Sequence, residues 1–543
     1  MKKILAILLV LCMLPTFALG AVSEKGVYPI TDEDVTLKIW VAQSPQTESP
    51  EQMAQSIWYE DFSGVKVEWT SVPYDEMDML FNLAVSDTNN LPDIFMYAVD
   101  SGELLNLVED GVVRQLDDLM EEHGQYYPQM LDELGMRDQV TAPDGHIYSF
   151  LASVYLVQNS MFNKVWVLKD WLYQYNAAKG QAEGTMPQTL DEMYDLLSYF
   201  KANDMNGNGD PNDEIPLMGN SQLVGEGTDP MFYFLNSFLY CPNDFLVADA
   251  EHNISLACTE DEFREGLKFL NKLYTEGLLT DDTFTQNLTQ MRQITSVYES
   301  EAIAGVVAGM NPMRVVNVNP DPEKVSYDDY IAIPPVAGPE GVRVAPRRAE
   351  SQLDLRCFIT TACERPEIAY KWLDYWCSKE GSQWSSFLGQ EDVHWAWMDE
   401  PSFGGDPKAV KSLVEWTSPQ SVYWTITWFA HYNITQDMFF AKAASGTYSD
   451  NELSGSLAEQ AYMPYARMTE FPQIAWCDDP DLVAEKAELT TMFQDHILNG
   501  CVKFIMGAQD PSSDADWNAF LDSLDNMDLE RYIEVVGQYY WGE

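Results

Sequence analysis

Residues 35–41 read Val-Thr-Leu-Lys-Ile-Trp-Val, apolar and polar in turn, which is the period of a half-buried strand. Residues 65–69 repeat that alternation. Between 77 and 85 the apolar positions are Met77, Leu80, Phe81, Ala84 and Val85, the stripe of an amphipathic helix. Leu-Pro-Asp-Ile-Phe-Met-Tyr at 91–97 predicts a short apolar strand, and residues 104–108 a helix that ends before Gly111. Strand, helix, strand, helix at this spacing predicts a parallel α/β sheet. Ala142-Pro-Asp-Gly145 reads as a turn between two strands.

The pattern turns helical in the middle. Thr189-Leu-Asp-Glu192 spells a capping box just after Pro187, and the helix it opens carries Met193, Leu196, Leu197 and Phe200 on one face. A second box, Thr259-Glu-Asp-Glu262, opens a helix ending near Gly277. Residues 330–336 return to strand pattern. Residues 364–376 form a helix started by Pro366. From about residue 420 the chain reads as mostly helical, and no internal repeat or low-complexity linker is present.

Charge narrows the function. Of 543 residues, 86 are acidic and 31 basic, a net charge of −55. Such a surface repels phosphate backbones and anionic lipid, which argues against nucleic-acid binding and for a neutral or cationic partner. Trp, Tyr and Phe make up 13% of the chain. They serve either as core or as a surface on which the apolar faces of sugar rings stack. Six histidines lack metal-ligand spacing, and no zincin motif, nucleophile elbow or phosphate loop occurs. Carboxylate pairs carry no information about glycosidase chemistry in a chain this acidic.

The start reads as an export signal spanning 1–20: Lys2 and Lys3, an apolar run at 4–14, Pro15, then Ala18-Leu-Gly20. Cleavage is expected after Gly20, with an uncleaved anchor as the alternative. Cys12 comes too early for a lipid attachment site. The remaining cysteines, Cys241, Cys258, Cys357, Cys363, Cys377, Cys477 and Cys501, are odd in number and contain no Cys-x-x-Cys pair, so buried free thiols are expected, with a single disulfide as the alternative.

Residues 204–214, Asp-Met-Asn-Gly-Asn-Gly-Asp-Pro-Asn-Asp-Glu, stand apart. A hard cation takes six to eight oxygens, and alternate residues of a tight loop supply them. Asp204, Asn206 and Asn208 fall at the first, third and fifth places of such a loop. Gly209 falls at its sharp turn, and Asp210 at the place where a backbone carbonyl is used. The closing glutamate is missing, because Ile215 stands there. The stretch is either a calcium loop or a metal-free turn of Asp and Asn.

The order of these segments resembles the extracellular solute-binding proteins of bacterial ABC importers, the large oligosaccharide-type members of family 1. The likeness is carried by Gly-Val-Lys-Val-Glu-Trp at 64–69, Leu-Pro-Asp-Ile-Phe at 91–95, residues 140–150, residues 187–217, residues 364–383 and residues 516–540. It implies an α/β periplasmic-binding-protein fold of the class II type, two lobes with a ligand cleft between them and a helical C-terminal region. Lobe 1 would hold 34–153 and 331–390, and lobe 2 would hold 154–330 and 391–543. It implies a monomer without catalysis, which captures an oligosaccharide or other small solute by lobe closure and delivers it to the transmembrane permease subunits. The location would be secreted or on the extracellular face of the membrane. In the variant of the acidic loop that this family carries, Asp213 and Glu214 close a structural calcium site with Asp204, Asn206, Asn208 and Asp210.

Ligand contacts in such a fold come from loops at the carboxyl ends of strands. This points to Trp40, Tyr97 and Tyr155, and to Arg347 and Arg348 as hydrogen-bond donors. The stretch 389–397 resembles a family segment that ends in an aromatic, which adds His394, Trp395 and Trp397. Asp392 stands where the family has glycine. Each aromatic is otherwise a core residue. The competing readings are a secreted, calcium-stabilised carbohydrate-active enzyme, and a calcium-dependent adhesin, which would normally repeat its calcium loop.

Overall fold

The computed structural model describes residues 22–542, apart from 44–46, 156–159, 222–226, 299–300, 318–322, 327–328, 349–350, 386–388, 403–405, 415–420, 423–446, 473–475 and 478. The signal at 1–20, the side chain of Tyr155 and part of the helical region after 420 therefore lie outside the described residues. The main strands are β1 (Val35–Gln43), β2 (Val65–Pro73), β3 (Ile94–Val99), β4 (Phe150–Tyr155), β5 (Val165–Leu168), β6 (Ile215–Met218), β7 (Ala304–Ala308), β8 (Tyr330–Ile333) and β9 (Ser351–Ile359).

The chain divides into two compact units. Unit 1 contains the chain through Ser153, Leu353–Trp395 and Leu413–Asn433; unit 2 contains Val154–Gln352, Ala396–Ser412 and Ile434–Glu543. Residues 331–352, expected in lobe 1, group with unit 2. The reason is local: β8 pairs with β5, and Ala345–Arg347 pairs with Ala466–Met468, so both strands are held inside unit 2. Residues 391–395 move the other way, into unit 1.

Unit 1 is built on a five-stranded sheet in the order β2-β1-β3-β9-β4. The alternation of β1 holds over its first half, where Leu37 is buried and Lys38 exposed; from Ile39 to Ala42 side chains on both faces are buried, while β2 and β3 pair along its two edges. These three strands are parallel, as the strand–helix spacing predicts. The sheet as a whole is mixed, since β9 runs antiparallel to β3. That strand arrives from unit 2 rather than through a helical crossover, so the constraint that makes neighbouring strands parallel does not act on it. Helix Met77–Ser86 buries Phe81 and exposes Met79 and Leu83 on its far side. The 142–145 turn closes with the amide of Gly145 donating to Ala142 at 2.8 Å, flanked by a single bridge between Thr141 and Ile147 instead of two full strands.

Helix Pro366–Trp376 starts at its proline as expected, yet every residue from Ile368 to Trp376 is buried. Two of these, Lys371 and Asp374, are residues that water would keep charged. Asp374 accepts the backbone N–H groups of Gln125 (3.0 Å), Tyr126 (3.0 Å) and Tyr127 (2.8 Å), which open helix Tyr126–Leu134. Lys371 donates to the carbonyls of Ser23 (2.8 Å) and Glu24 (2.6 Å) and to the Ser23 hydroxyl (2.8 Å), which holds the first described residues against unit 1.

Unit 2 is built on a four-stranded sheet, β8-β5-β7-β6, with β5 antiparallel to both β8 and β7 and β6 parallel to β7. All five residues of β7 are buried, as in a strand covered on both faces. A Cβ on its Gly305 would come within 2.6 Å of Phe200 and 2.8 Å of Trp171, so glycine lets two helices close on the strand. Helix Leu190–Ala202 buries Met193, Leu196, Leu197 and Phe200 as predicted. Its box is half formed. Thr189 caps the Glu192 amide at 3.2 Å, but the Glu192 carboxylate turns to the Gln188 amide. The second box does not form. A 3-10 turn takes Ala257–Thr259, the Thr259 hydroxyl donates to Leu256, and helix Asp261–Thr275 starts without a side-chain cap. The described C-terminal region is helical over Thr447–Tyr462, Pro480–Ile505, Asp514–Asp525 and Leu529–Trp541. The seven cysteines are free thiols, six of them buried and Cys477 partly so.

Candidate ligand and cation sites

Parallel pairing sets Trp40 beside Phe95 and brings the carboxyl ends of β1 and β3 together. Trp40 is 3% exposed and touches the rings of Phe81, Phe95 and Tyr97, at centroid distances of 5.8, 5.6 and 5.8 Å. It is a core residue, and the expectation of a sugar-stacking face is corrected at this position. The Tyr97 ring is stacked on Phe81 at 4.2 Å, and its hydroxyl donates to Asp78 Oδ1 at 2.5 Å. Asp100 caps the next helix by accepting the Glu103 amide at 2.8 Å. Burial, with Asp100 and Asp78 nearby, pushes the Glu103 carboxyl up to about 7. Asp78 and Glu103 were not among the residues expected to act. The cap pattern at Asp100 was a legible signal for Glu103; the reach of Tyr97 to Asp78 had none.

Gly389 to Trp395 forms one tight loop in unit 1. Asp392 takes the left-handed conformation, φ 62°, which glycine adopts without strain and Asp tolerates. Asp392 thus occupies a backbone conformation that suits the glycine expected at this position. The Gln390 amide donates to His394 Nδ1 at 2.9 Å, which leaves Nε2 as the protonated nitrogen of the neutral ring, and burial pulls the imidazole down from its ordinary value. The Trp395 indole N–H donates to the Gly389 carbonyl at 3.0 Å and the side chain is buried, so it anchors the loop and offers no stacking face. Trp397 is 47% exposed.

In unit 2, Arg347 donates from Nε to the Ser160 hydroxyl at 3.2 Å, and the Arg348 guanidinium lies 3.5 Å from the centre of the Phe162 ring. A cavity of 230 Å³ in this unit is lined by residues such as Lys169, Trp171, Asn206 and Asp329, and by none of the expected ligand residues. It is below the roughly 300–1,000 Å³ usual for ligand sites.

The acidic loop is organised around its own oxygens. Asp204 accepts the amides of Asn208 (3.1 Å) and Gly209 (2.9 Å); Asn206 Oδ1 accepts the Asn208 amide (3.0 Å); Asn208 Oδ1 accepts the Asp210 amide (2.7 Å). Gly207 and Gly209 both have positive φ, 72° and 92°, which permits the tight path. The Asn208 amide group donates to Asp213 Oδ2 at 2.7 Å, and Glu214 Oε1 accepts the Met205 amide at 2.8 Å. Asp213 Oδ1 and Glu214 Oε2 are buried without a hydrogen-bond partner. Burial holds the Glu214 carboxyl above the usual range, and Asp213 and Asp204 push it the same way. Two orphaned carboxylate oxygens beside these acceptors fit a hard cation, which is bound by oxygen alone. Among the described residues no three His, Cys, Asp or Glu side chains converge as a ready metal site, so a cage here would draw on the two asparagines as well.

Comparisons with known proteins agree with the architecture. The curated fructooligosaccharide ABC transporter substrate-binding protein FusA of Streptococcus pneumoniae serotype 4 is 24% identical over 542 residues, 95% of this chain and 92% of FusA. A solved structure of a FusA EF-hand mutant with fructo-nystose has a TM-score of 0.71 at 23% identity, covering 93% of this chain and 98% of that one. An HMO-binding, ABC-transporter-associated solute-binding protein from Bifidobacterium longum infantis has a TM-score of 0.73 at 18% identity, covering 94% of this chain and 99% of that one. The two-lobed α/β solute-binding fold is thereby shown. Residues 43–383 match the model of the bacterial extracellular solute-binding proteins, and the chain belongs to that family.

Proposed function

We propose that this protein is the extracellular capture component of an ABC importer, taking up an oligosaccharide and passing it to the transmembrane permease subunits without altering it. The observation that carries this reading is the alignment with FusA, which spans nearly the whole of both chains. The chemistry supports it. Tyr97, Asp78 and Glu103 cluster at the carboxyl edge of the unit 1 sheet, where the carboxylates suit sugar hydroxyls, and the half-exposed Trp397 side chain suits an apolar sugar face. Of the expected ligand residues, Tyr97 and His394 in unit 1 and Arg347 and Trp397 in unit 2 remain candidates, with Tyr155 to be tested beside them.

The test is a calorimetric screen of the monomeric mature protein against fructo-nystose, milk oligosaccharides and other neutral and acidic oligosaccharides, with mass analysis of each sugar afterwards. At least one should bind in the micromolar range or tighter, about −8 kcal/mol or better, and be recovered intact. Shortened sugars would instead establish the secreted carbohydrate-active enzyme, and no binding at all would reject sugar capture.

Two further elements belong to the proposal. Asp204, Asn206, Asn208, Asp210, Asp213 and Glu214 hold a structural calcium ion, supported by the orphaned oxygens of Asp213 and Glu214 and by the existence of an EF-hand in FusA. Residues 1–20 export the chain, and no described helix is long and apolar enough to cross a membrane.

A further inference from the structure

The chain passes from unit 1 to unit 2 at Ser153/Val154 and back at Gln352/Leu353. Just inside unit 2, the residues flanking these two crossings meet at Ser160. Its carbonyl accepts the Arg348 amide at 2.8 Å, and its hydroxyl accepts Arg347 Nε at 3.2 Å. Its own N–H donates to Glu459 Oε1 at 3.0 Å, its hydroxyl donates to the same oxygen, and the Met161 N–H joins them at 3.1 Å. The other Glu459 oxygen faces Lys164 Nζ at 2.9 Å, and the Lys164 and Glu459 side chains are 0% and 5% exposed. Lys164 also donates to the carbonyls of Met161 and Met310.

Glu459 comes from helix Thr447–Tyr462, which is seated firmly. The Tyr462 hydroxyl donates to Ile333 on β8 at 2.6 Å, and Ala466–Met468, just beyond the helix, pairs in parallel with Ala345–Arg347. The helix thus meets the first crossing segment through Glu459, and the strand just after it meets the second through the pairing with Ala345–Arg347. A buried ion pair is a poor source of stability, because desolvation offsets the attraction and apolar residues would serve as well. What it supplies is direction: one carboxylate oxygen collects three donors and fixes where the chain lies.

We propose that Glu459 is a positioning residue that locks the unit-2 ends of the first and second crossing segments to each other, so that they respond as one body when a ligand is captured. The locking goes beyond the capture reading; only its effect on affinity rests on that reading.

The test uses the mature chain, free of ligand, as wild type, Glu459→Gln and the double variant K164M/E459M. Glu459→Gln turns an amide N–H₂ toward the Lys164 ammonium; the double variant removes both charges and keeps the volume. Amide hydrogen exchange should accelerate at least tenfold at Arg348 and across Ala345–Arg347, which do not touch Glu459, while β8 and helix Leu190–Ala202 exchange as in wild type. Acceleration confined to Ser160, Met161 and Lys164 would reduce Glu459 to a local structural role and overturn the proposal. If Glu459→Gln fails to fold, the double variant decides by the same criterion. With fructo-nystose as probe, a binding wild type should lose at least tenfold in affinity on Glu459→Gln, and unchanged affinity would overturn the coupling. If the wild type binds no oligosaccharide, sugar capture fails, while the exchange result still decides the lock.

Discussion

Asp374 and Tyr127 are joined by a 2.8 Å hydrogen bond in which a carboxylate on one buried helix caps the first turn of another. Burial outweighs the three amides and Lys371, and pushes the Asp374 carboxyl up to about 6 from its ordinary 3.8. The folded state therefore binds this proton more tightly than the unfolded chain. Stability from this group is greatest below about pH 4 and falls as pH rises through 6, by on the order of 3 kcal/mol. Urea unfolding of Asp374→Asn between pH 4 and 7 should lack that part of the slope seen in wild type. Identical slopes would show that Asp374 titrates as it does in the unfolded chain.

Calcium should raise the melting temperature. A ligand bound only by the folded state stabilises by about 2.7 kcal/mol at a hundredfold excess over its Kd. EDTA-treated protein should melt lower and recover on adding Ca²⁺, and Glu214→Gln should blunt the response. Coincident melting curves for metal-stripped and calcium-loaded protein would leave the loop as a metal-free turn.

The aromatic residues should separate into two classes. Trp40→Ala and Trp395→Ala empty buried sites and should cost about 3–5 kcal/mol of stability. Trp397→Ala should leave the melting temperature near wild type and weaken the best oligosaccharide by roughly 1–3 kcal/mol. Calorimetry and thermal melts on the three variants check this. Wild-type affinity in Trp397→Ala would remove that ring from the site.

Lys371→Met should free the N-terminal segment. It strips the partners from the carbonyls of Ser23 and Glu24, a loss of about 1–3 kcal/mol. Hydrogen exchange at 23–27 reports it directly. Protection equal to wild type would mean that other contacts hold the segment.

Much of the fold was legible because periodicity is a local property. The stripe Met193, Leu196, Leu197, Phe200 predicts the buried face of its helix, and the alternation of Leu37 and Lys38 predicts the first half of β1. What escaped depends on partners distant in sequence. Nothing around Trp40 tells that Phe81 and Phe95 cover it, and nothing around β9 tells that it enters its sheet against the direction of β3. The box at Thr259 failed because a 3-10 turn claimed its hydroxyl first. Glu459 was invisible for another reason: it is one acid among 86, and only its burial beside Lys164 distinguishes it.

The hold of Lys371 on Ser23 and Glu24 also sets a ruler for proteolysis. An exopeptidase trimming inward from the chain's start needs an extended, unbonded backbone. At Ser23 it would meet a residue bound through both carbonyl and hydroxyl to a buried ammonium. Trimming beyond that residue requires local opening of the segment, so a chain shortened as far as Ser23 resists further loss.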